Sequence, residues 1–272
     1  MLCFFMYFCG IMMENDVITS VQNAKVKHVA ALQQKSSLRR REGLFVVEGR
    51  RELSHCMACG YQIHSLFALE GVELDVDMPV TRVSSAVYEK MAYRGGTEGV
   101  VALVYSRPHG LKDLHLPENP FVVVLESVEK PGNLGAILRS ADAAGVDAVV
   151  VCDPLTDLYN PNVVRASIGG LFHVPVTVCS TDECIQFLKE RHIQILTAQL
   201  QDSHPYYNCD MQRATAIVMG TEATGLTDTW RKAADAHIRI PMLGRLDSLN
   251  VSVSAAILMY EAVRQRKGGD EE

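Results

Sequence analysis

Six short apolar runs set the strongest limit on what this chain can become: FVVVLESV (121–128), AVVVC (148–152), VPVTVC (174–179), IQILTAQ (193–199), AIVMG (216–220) and IRIPM (238–242). Their residues are largely β-branched and scarcely alternate with polar ones, the pattern of strands buried on both faces. Stretches of helical period separate most of them. Strands so joined lie parallel, because each connection must carry the chain back across the sheet. Residues 121–267 therefore read as an α/β domain built on a doubly wound parallel sheet. With 48% hydrophobic residues over 272, the chain has ample material for such a core.

A second α/β unit, 14–105, precedes it. FVVEG (45–49) reads as a strand ended by glycine, followed by a helix over 50–58; YQIHSLFAL (61–69) reads as strand, SSAVYEKMA (84–92) as a short helix, and GVVALV (99–104) as strand. Between the two units, SRPHGLKDLHLPENP (106–120) holds three prolines and a glycine, the composition of a linker. The first 13 residues, MLCFFMYFCGIMM, are apolar but too short to span a bilayer and lack the basic start and cleavage site of a secretory signal. They read as a disordered or non-native extension, with Met12 or Met13 as alternative starts. Residues 268–272 read as a disordered tail, and no membrane association is expected.

The net charge of −6 excludes a chain-wide basic surface. Residues 20–51 are the exception, with Lys25, Lys27, Lys35, Arg39, Arg40, Arg41, Arg50 and Arg51 against Glu42 and Glu48. Such a concentration suits phosphate contacts, or a solvated helix face equally well. The eight cysteines (Cys3, Cys9, Cys56, Cys59, Cys152, Cys179, Cys184, Cys209) show no disulfide or zinc spacing, which points to a reducing cytoplasm. Cys56 and Cys59 form a C-x-x-C with no second pair, so helix packing is the expectation and no metal site is assigned.

Three stretches carry chemistry at strand ends. In EKPGNLGAILRSADAAG (129–145), Leu134, Ile137, Leu138 and Ala141 form an apolar stripe of a helix over 134–144, stopped by Gly145. Asn133 stands where an N-cap would. Arg139 points well away from the stripe, toward solvent, a phosphate or a partner subunit. In IVMGTEATGL (217–226), Gly220 and Gly225 flank a tight bend at a strand's carboxyl end, where open α/β sheets bind ligands, though a plain turn explains them too. The spacing is not G-x-G-x-x-G, which leaves a nicotinamide-dependent enzyme without its fingerprint. In SLNVSVSAAILMYEAVRQR (248–266), Ser248, Asn250 and Ser252 crowd a helix N-terminus whose stripe is Val253, Ala256, Ile257 and Tyr260. One residue suffices for a cap; three suggest a binding site.

Taken in order, NLGAILRSADAAG, GTEATG, and IPM with SLNVSVSAAILMYEAVRQR resemble the three signature motifs of the SpoU family, also called TrmH, of RNA ribose 2′-O-methyltransferases. ITSVQNAKVKHVAAL (18–32) and FVVEGRRELSHC (45–56) are more loosely similar to the ribosomal-protein-like RNA-binding domain that many members carry ahead of the catalytic one. What the resemblance implies is a SPOUT-type domain threaded into a trefoil knot, S-adenosylmethionine as cofactor, a homodimer formed through the catalytic domain, and a structured RNA substrate, ribosomal RNA foremost. Transfer RNA, or a non-catalytic RNA-binding role on the same fold, are the alternatives.

Carried over motif by motif, the resemblance makes Arg139 catalytic, with Asn133, Glu222, Ser248 and Asn250 around the reacting centre. Gly220, Ile240 and Leu249 fall at cofactor contacts, with Thr197, Glu222, Gly225 and Met242 close by. Lys25, Lys27, Arg39, Arg40, Arg41 and Arg50 are the RNA-binding candidates. Arginine stays charged in proteins, so a phosphate clamp that steadies developing alkoxide charge suits Arg139 better than a base. Ala223 stands where members often have glycine, which touches only the shape of that loop.

Overall fold

The computed structural model describes residues 17–93, 98–221 and 224–267. The expectations for 1–13 and 268–272, and every role given to Glu222, fall outside them. Two sheets organise the chain. The first is a four-stranded sheet ordered β1-β4-β2-β3, from β1 (Leu44–Glu48), β2 (Ile63–Leu69), β3 (Val80–Val83) and β4 (Val100–Tyr105), with helices α1 (Ala24–Gln34), α2 (Ser36–Glu42), α3 (Arg50–Ala58) and α4 (Ser85–Met91). It is mixed: β4 runs antiparallel to β1 and β2, while β3 is parallel to β2. β3 was not legible in the sequence, since its four residues carry no clear alternation.

The second sheet has seven strands: β5 (Phe121–Glu126), β6 (Ala148–Cys152), β7 (Val176–Cys179), β8 (Gln194–Ala198), β9 (His204–Pro205), β10 (Thr215–Met219) and β11 (Ala236–Arg239). Their order is β7-β6-β5-β10-β8-β11-β9, and every recorded neighbour pair is parallel. Both faces are covered, as the uninterrupted apolar runs require. Val123 and Leu125 pack with α5 (Pro131–Ala144) and α10 (Val251–Lys267). Val122 and Val124 face the other way, toward α8 (Thr181–Glu190) and Trp230 of α9 (Asp228–Ala233). β10 is inserted between β5 and β8, two strands laid down before it.

Two local expectations are corrected. α5 begins at Pro131, which presets the first helical φ, so Asn133 lies inside the first turn and Lys130 occupies the N-cap. Gly145 does end the helix, in the left-handed conformation at φ +65°. In α10, the buried residues are Val251, Ala255, Leu258, Met259 and Ala262, not the stripe read from the sequence. Val253 and Tyr260 are instead about half exposed, at 48% and 51%. The helix is apolar on two sides, and the inner side was the one not chosen.

The two sheets meet through α6 (Pro161–Ser167), α7 (Gly170–His173) and the chain just before them. Phe45 of β1 stacks on Tyr159 with ring centroids 4.1 Å apart, and Tyr61 meets Phe172 edge-on at 5.2 Å. The Arg39 guanidinium donates to Asp157 at 2.6 Å and to the carbonyls of Leu32 and Gln33. The connecting segment is stitched down as well: Arg107 N–H donates to the Tyr159 hydroxyl at 3.0 Å, and the His109 ring bonds that hydroxyl and the Val176 carbonyl.

Candidate active site

At the carboxyl edge of the large sheet, the segments after β8, β10 and β11 enclose a cavity of about 610 Å³, within the usual range of small-molecule sites. Gly220, Gly225, Ile240, Met242, Ser248, Leu249 and Asn250 all line it, joined by Ala198 to Gln201, Leu226 and Arg231. Seven of the residues singled out in the sequence, drawn from two separate motifs, thus share one hollow.

The wall after β10 is mostly backbone. Thr221 and Gly225 exchange N–H to carbonyl bonds of 3.2 and 3.1 Å, pulling the bend into a closed loop. A Cβ on Gly220 would lie 2.2 Å from the Gly225 carbonyl oxygen and 2.6 Å from the Leu226 nitrogen. Only glycine fits, and Gly225 needs the same freedom for its φ of +70°. Two of the lining residues each hold a buried polar atom, Gln199 Oε1 and Arg231 Nε, that has no hydrogen-bond partner among the described residues. Leu226, Ile240 and Leu249 offer apolar surface beside them. The cavity therefore suits a mid-sized ligand with an apolar part and several polar groups.

A smaller hollow of about 150 Å³ adjoins it, sharing Gly220, Thr221 and Val251 and adding Val128, Glu129, Lys130 and Asn133. Here two helix N-termini converge. Asn250 caps α10: its Oδ1 accepts from the Ser252 N–H at 3.0 Å and from the Ser252 hydroxyl at 2.6 Å. Its Nδ2 donates to Asn133 Oδ1 in the first turn of α5, at 3.2 Å. The cap and the cross-link are thus served by one side chain, which accounts for Asn250 and Ser252 at that helix start, while Ser248 lines the larger cavity. The dipoles of α5 and α10 make this corner favourable for negative charge.

Arg139, two turns further along α5, is exposed and lines neither hollow within one chain. Thr197 is fully buried, its hydroxyl 2.6 Å from His237 Nδ1; it does not itself line the cavity, whereas the next residue, Ala198, does. It is an inward-facing residue of a central strand. Arg39 is a correction. At 4% exposure and ion-paired to Asp157, it is locked between the sheets and has no guanidinium face left for RNA. Lys25, Lys27, Arg40, Arg41 and Arg50 are exposed. Sequence reasoning missed Gln199 and Arg231, and only their nearness to the glycine bend in the fold reveals them.

Comparison with known proteins agrees with this geometry. The model of the SpoU rRNA methylase family matches residues 120–260, and that of an MRM3-like substrate-binding domain matches 23–102. A 23S rRNA (uridine(2479)-2′-O)-methyltransferase of Streptomyces viridochromogenes is 30% identical over 93% of each chain. The 23S rRNA (guanosine(2553)-2′-O)-methyltransferase RlmP of Bacillus subtilis is 28% identical over 89% of this chain and 97% of its own. The crystal structure of an AdoMet-bound rRNA methyltransferase from Sinorhizobium meliloti superposes with a TM-score of 0.84 at 30% identity, covering 91% of this chain and 97% of that one. With the family model spanning more than half of its length and a relative at this identity along nearly all of it, the chain belongs to the SpoU rRNA methylase family.

Proposed function

We propose that the protein transfers a methyl group from S-adenosylmethionine to the 2′-hydroxyl of a ribose in ribosomal RNA. The observation that carries this reading is the shared cavity: Gly220, Ile240 and Leu249 line one hollow whose rim holds Ser248 and Asn250. The residues present fit the cofactor, since the Gly220–Gly225 bend gives close backbone approach and Gln199 and Arg231 hold unused polar atoms. Bound there, S-adenosylmethionine supplies a methyl group on a positively charged sulfur. Relatives named for ribosomal RNA support that substrate, and their different target nucleotides leave the base unassigned.

The chain's own part is positioning and charge. Methyl transfer requires the ribose oxygen in line with the sulfonium methyl, and holding that geometry removes much of the entropic barrier. Asn133, Asn250 and the converging N-termini of α5 and α10 orient the sugar-phosphate. The Arg139 guanidinium clamps the neighbouring phosphate and stabilises negative charge as the hydroxyl loses its proton. Because Arg139 stands outside its own chain's hollows, it serves the cavity of a second subunit. A homodimer through the catalytic domain is supported by the apolar residues exposed near the site, among them Leu243 at 98%, Leu246 at 74%, Val253 and Tyr260. The trefoil-knotted path that the family resemblance implies for the segments around the cavity is part of this reading.

Residues 14–105 hold the RNA, with Lys25, Lys27, Arg40, Arg41 and Arg50 available to phosphates. No helix among the described residues is long and apolar enough to cross a membrane. The test is Arg139→Ala assayed for methyl transfer to ribosomal RNA from a strain lacking the protein. A fall in kcat of about 10²–10³-fold with unchanged cofactor binding is expected. Full activity would remove Arg139 from the mechanism.

A further inference from the structure

Three thiols meet on the half of the sheet edge that the cavity does not use. Cys152 ends β6 and Cys179 ends β7, and the two are register partners on adjacent parallel strands, so their side chains leave the same face. Cys184 reaches them from the first turn of α8. All three sulfurs lie within 4.8 Å of one another, and Cys152 Sγ is 4.0 Å from Cys179 Sγ. Each is a free thiol. Cys152 and Cys184 are buried while Cys179 is half-buried, which leaves the group one open side.

A buried cysteine commonly serves as a small apolar residue, and one or two here would need no more than that. Spacing and charge argue further. Three sulfurs bound at about 2.3 Å to one ion stand about 3.8–4.0 Å apart, so the observed positions need shifts of under about 1 Å. The surroundings are acidic. Glu126 is the register partner of Cys152 on β5 and is only 4% exposed. Its carboxylate accepts from the Thr227 N–H at 2.9 Å, the Thr227 hydroxyl at 2.7 Å and the Thr181 hydroxyl at 3.4 Å, all neutral donors. Asp153 follows Cys152 and accepts from the Thr181 N–H; Glu183 precedes Cys184 and closes the capping box with Ser180. Among the described residues, no lysine or arginine forms a salt bridge with any of these three carboxylates. Negative charge beside the thiols favours a cation there.

We propose that Cys152, Cys179 and Cys184 together bind one thiophilic d¹⁰ cation, Zn²⁺ or Cu⁺. The thiols give their protons to solvent as they ligate, and thiolate ligands select these soft ions over Mg²⁺ or Ca²⁺. Bound there, the ion ties edge strand β7 and α8 to β6. Zn²⁺ keeps its fourth position for water on the open side at Cys179, whereas Cu⁺ is satisfied by three thiolates.

The full-length chain, freed of metal under reducing conditions, is titrated separately with Zn²⁺ and with Cu⁺ against a coloured chelator. One equivalent per chain is expected for at least one ion, with Co²⁺ giving a thiolate-to-metal charge-transfer absorption. Cys179→Ser lowers the affinity by about 100-fold or more, while Cys59→Ser, outside the group, leaves it unchanged. Melting curves check that the variants fold. Should Cys179→Ser fail to fold, alkylation of the native chain followed by mass spectrometry decides the matter: the ion protects Cys152, Cys179 and Cys184 but not Cys59. Absence of binding by either ion, equal affinity in Cys179→Ser, or no selective protection overturns the site.

Discussion

Arg39 and Arg139 both stand on helices, and the fold treats them in opposite ways. Arg39, on α2 of the smaller domain, is turned inward, where it closes the last turn of α1 and pins Asp157 of the larger domain. Arg139, on α5, is left exposed while Ile137, Leu138 and Ala141 of the same helix are buried. The smaller domain thus devotes part of its basic cluster to the seam between the sheets. The larger domain keeps its polar residues at the rim of a cavity whose wall is backbone. A concentration of positive charge in a sequence is therefore a poor guide to which residues face a ligand, and a polar residue at a strand's carboxyl end is a better one.

In ligand affinity, the contrast is broken most severely at Gly220. Gly220→Ala drives a methyl group into the Gly225 carbonyl, and S-adenosylmethionine affinity is expected to fall by more than about 100-fold, equivalent to about 2.7 kcal/mol. Calorimetry measures it, and near-native affinity would mean that the bend does not shape the site. Next is Arg39→Ala, which strands Asp157 at the seam. Removing one partner of a buried pair costs about 3–5 kcal/mol, so chemical denaturation should show a loss of that order while the cavity's ligand affinity is kept in the folded fraction. The smallest effect is at Glu48, which accepts from Gln33 and from the Tyr93 N–H near Arg165. Burial pushes its carboxyl up to about 7 from 4.5. Between those values the folded chain keeps a proton that the unfolded chain has released, so this residue makes stability fall as pH rises through the window. Glu48→Gln should flatten the melting temperature between pH 4.5 and 7 and raise it above the native value at pH 8.

The large sheet was legible because its strands are buried on both faces and so carry apolar runs too dense to misread. β9 was not, being two residues long. The glycine bend and the crowded start of α10 were located from their residue types. Asn133 was found but given the wrong local part, since Pro131 starts the helix earlier than the apolar stripe does. Where pairing across the chain decides, the sequence is silent. Nothing near Arg39 announces a carboxylate 118 residues away, and nothing in the spacing of Cys152, Cys179 and Cys184 shows that β6 and β7 are register partners. Thr197 carries the same lesson, its hydroxyl claimed by His237 on the neighbouring strand.

The claim on which the functional reading depends is that loops from three strand ends form one seat for a methyl donor. Titrating the native chain with S-adenosylmethionine, with Arg139→Ala alongside, tests it most directly. Saturable heat at one site per chain, equal in both proteins, is the expected result. Absence of binding by the native chain would contradict it.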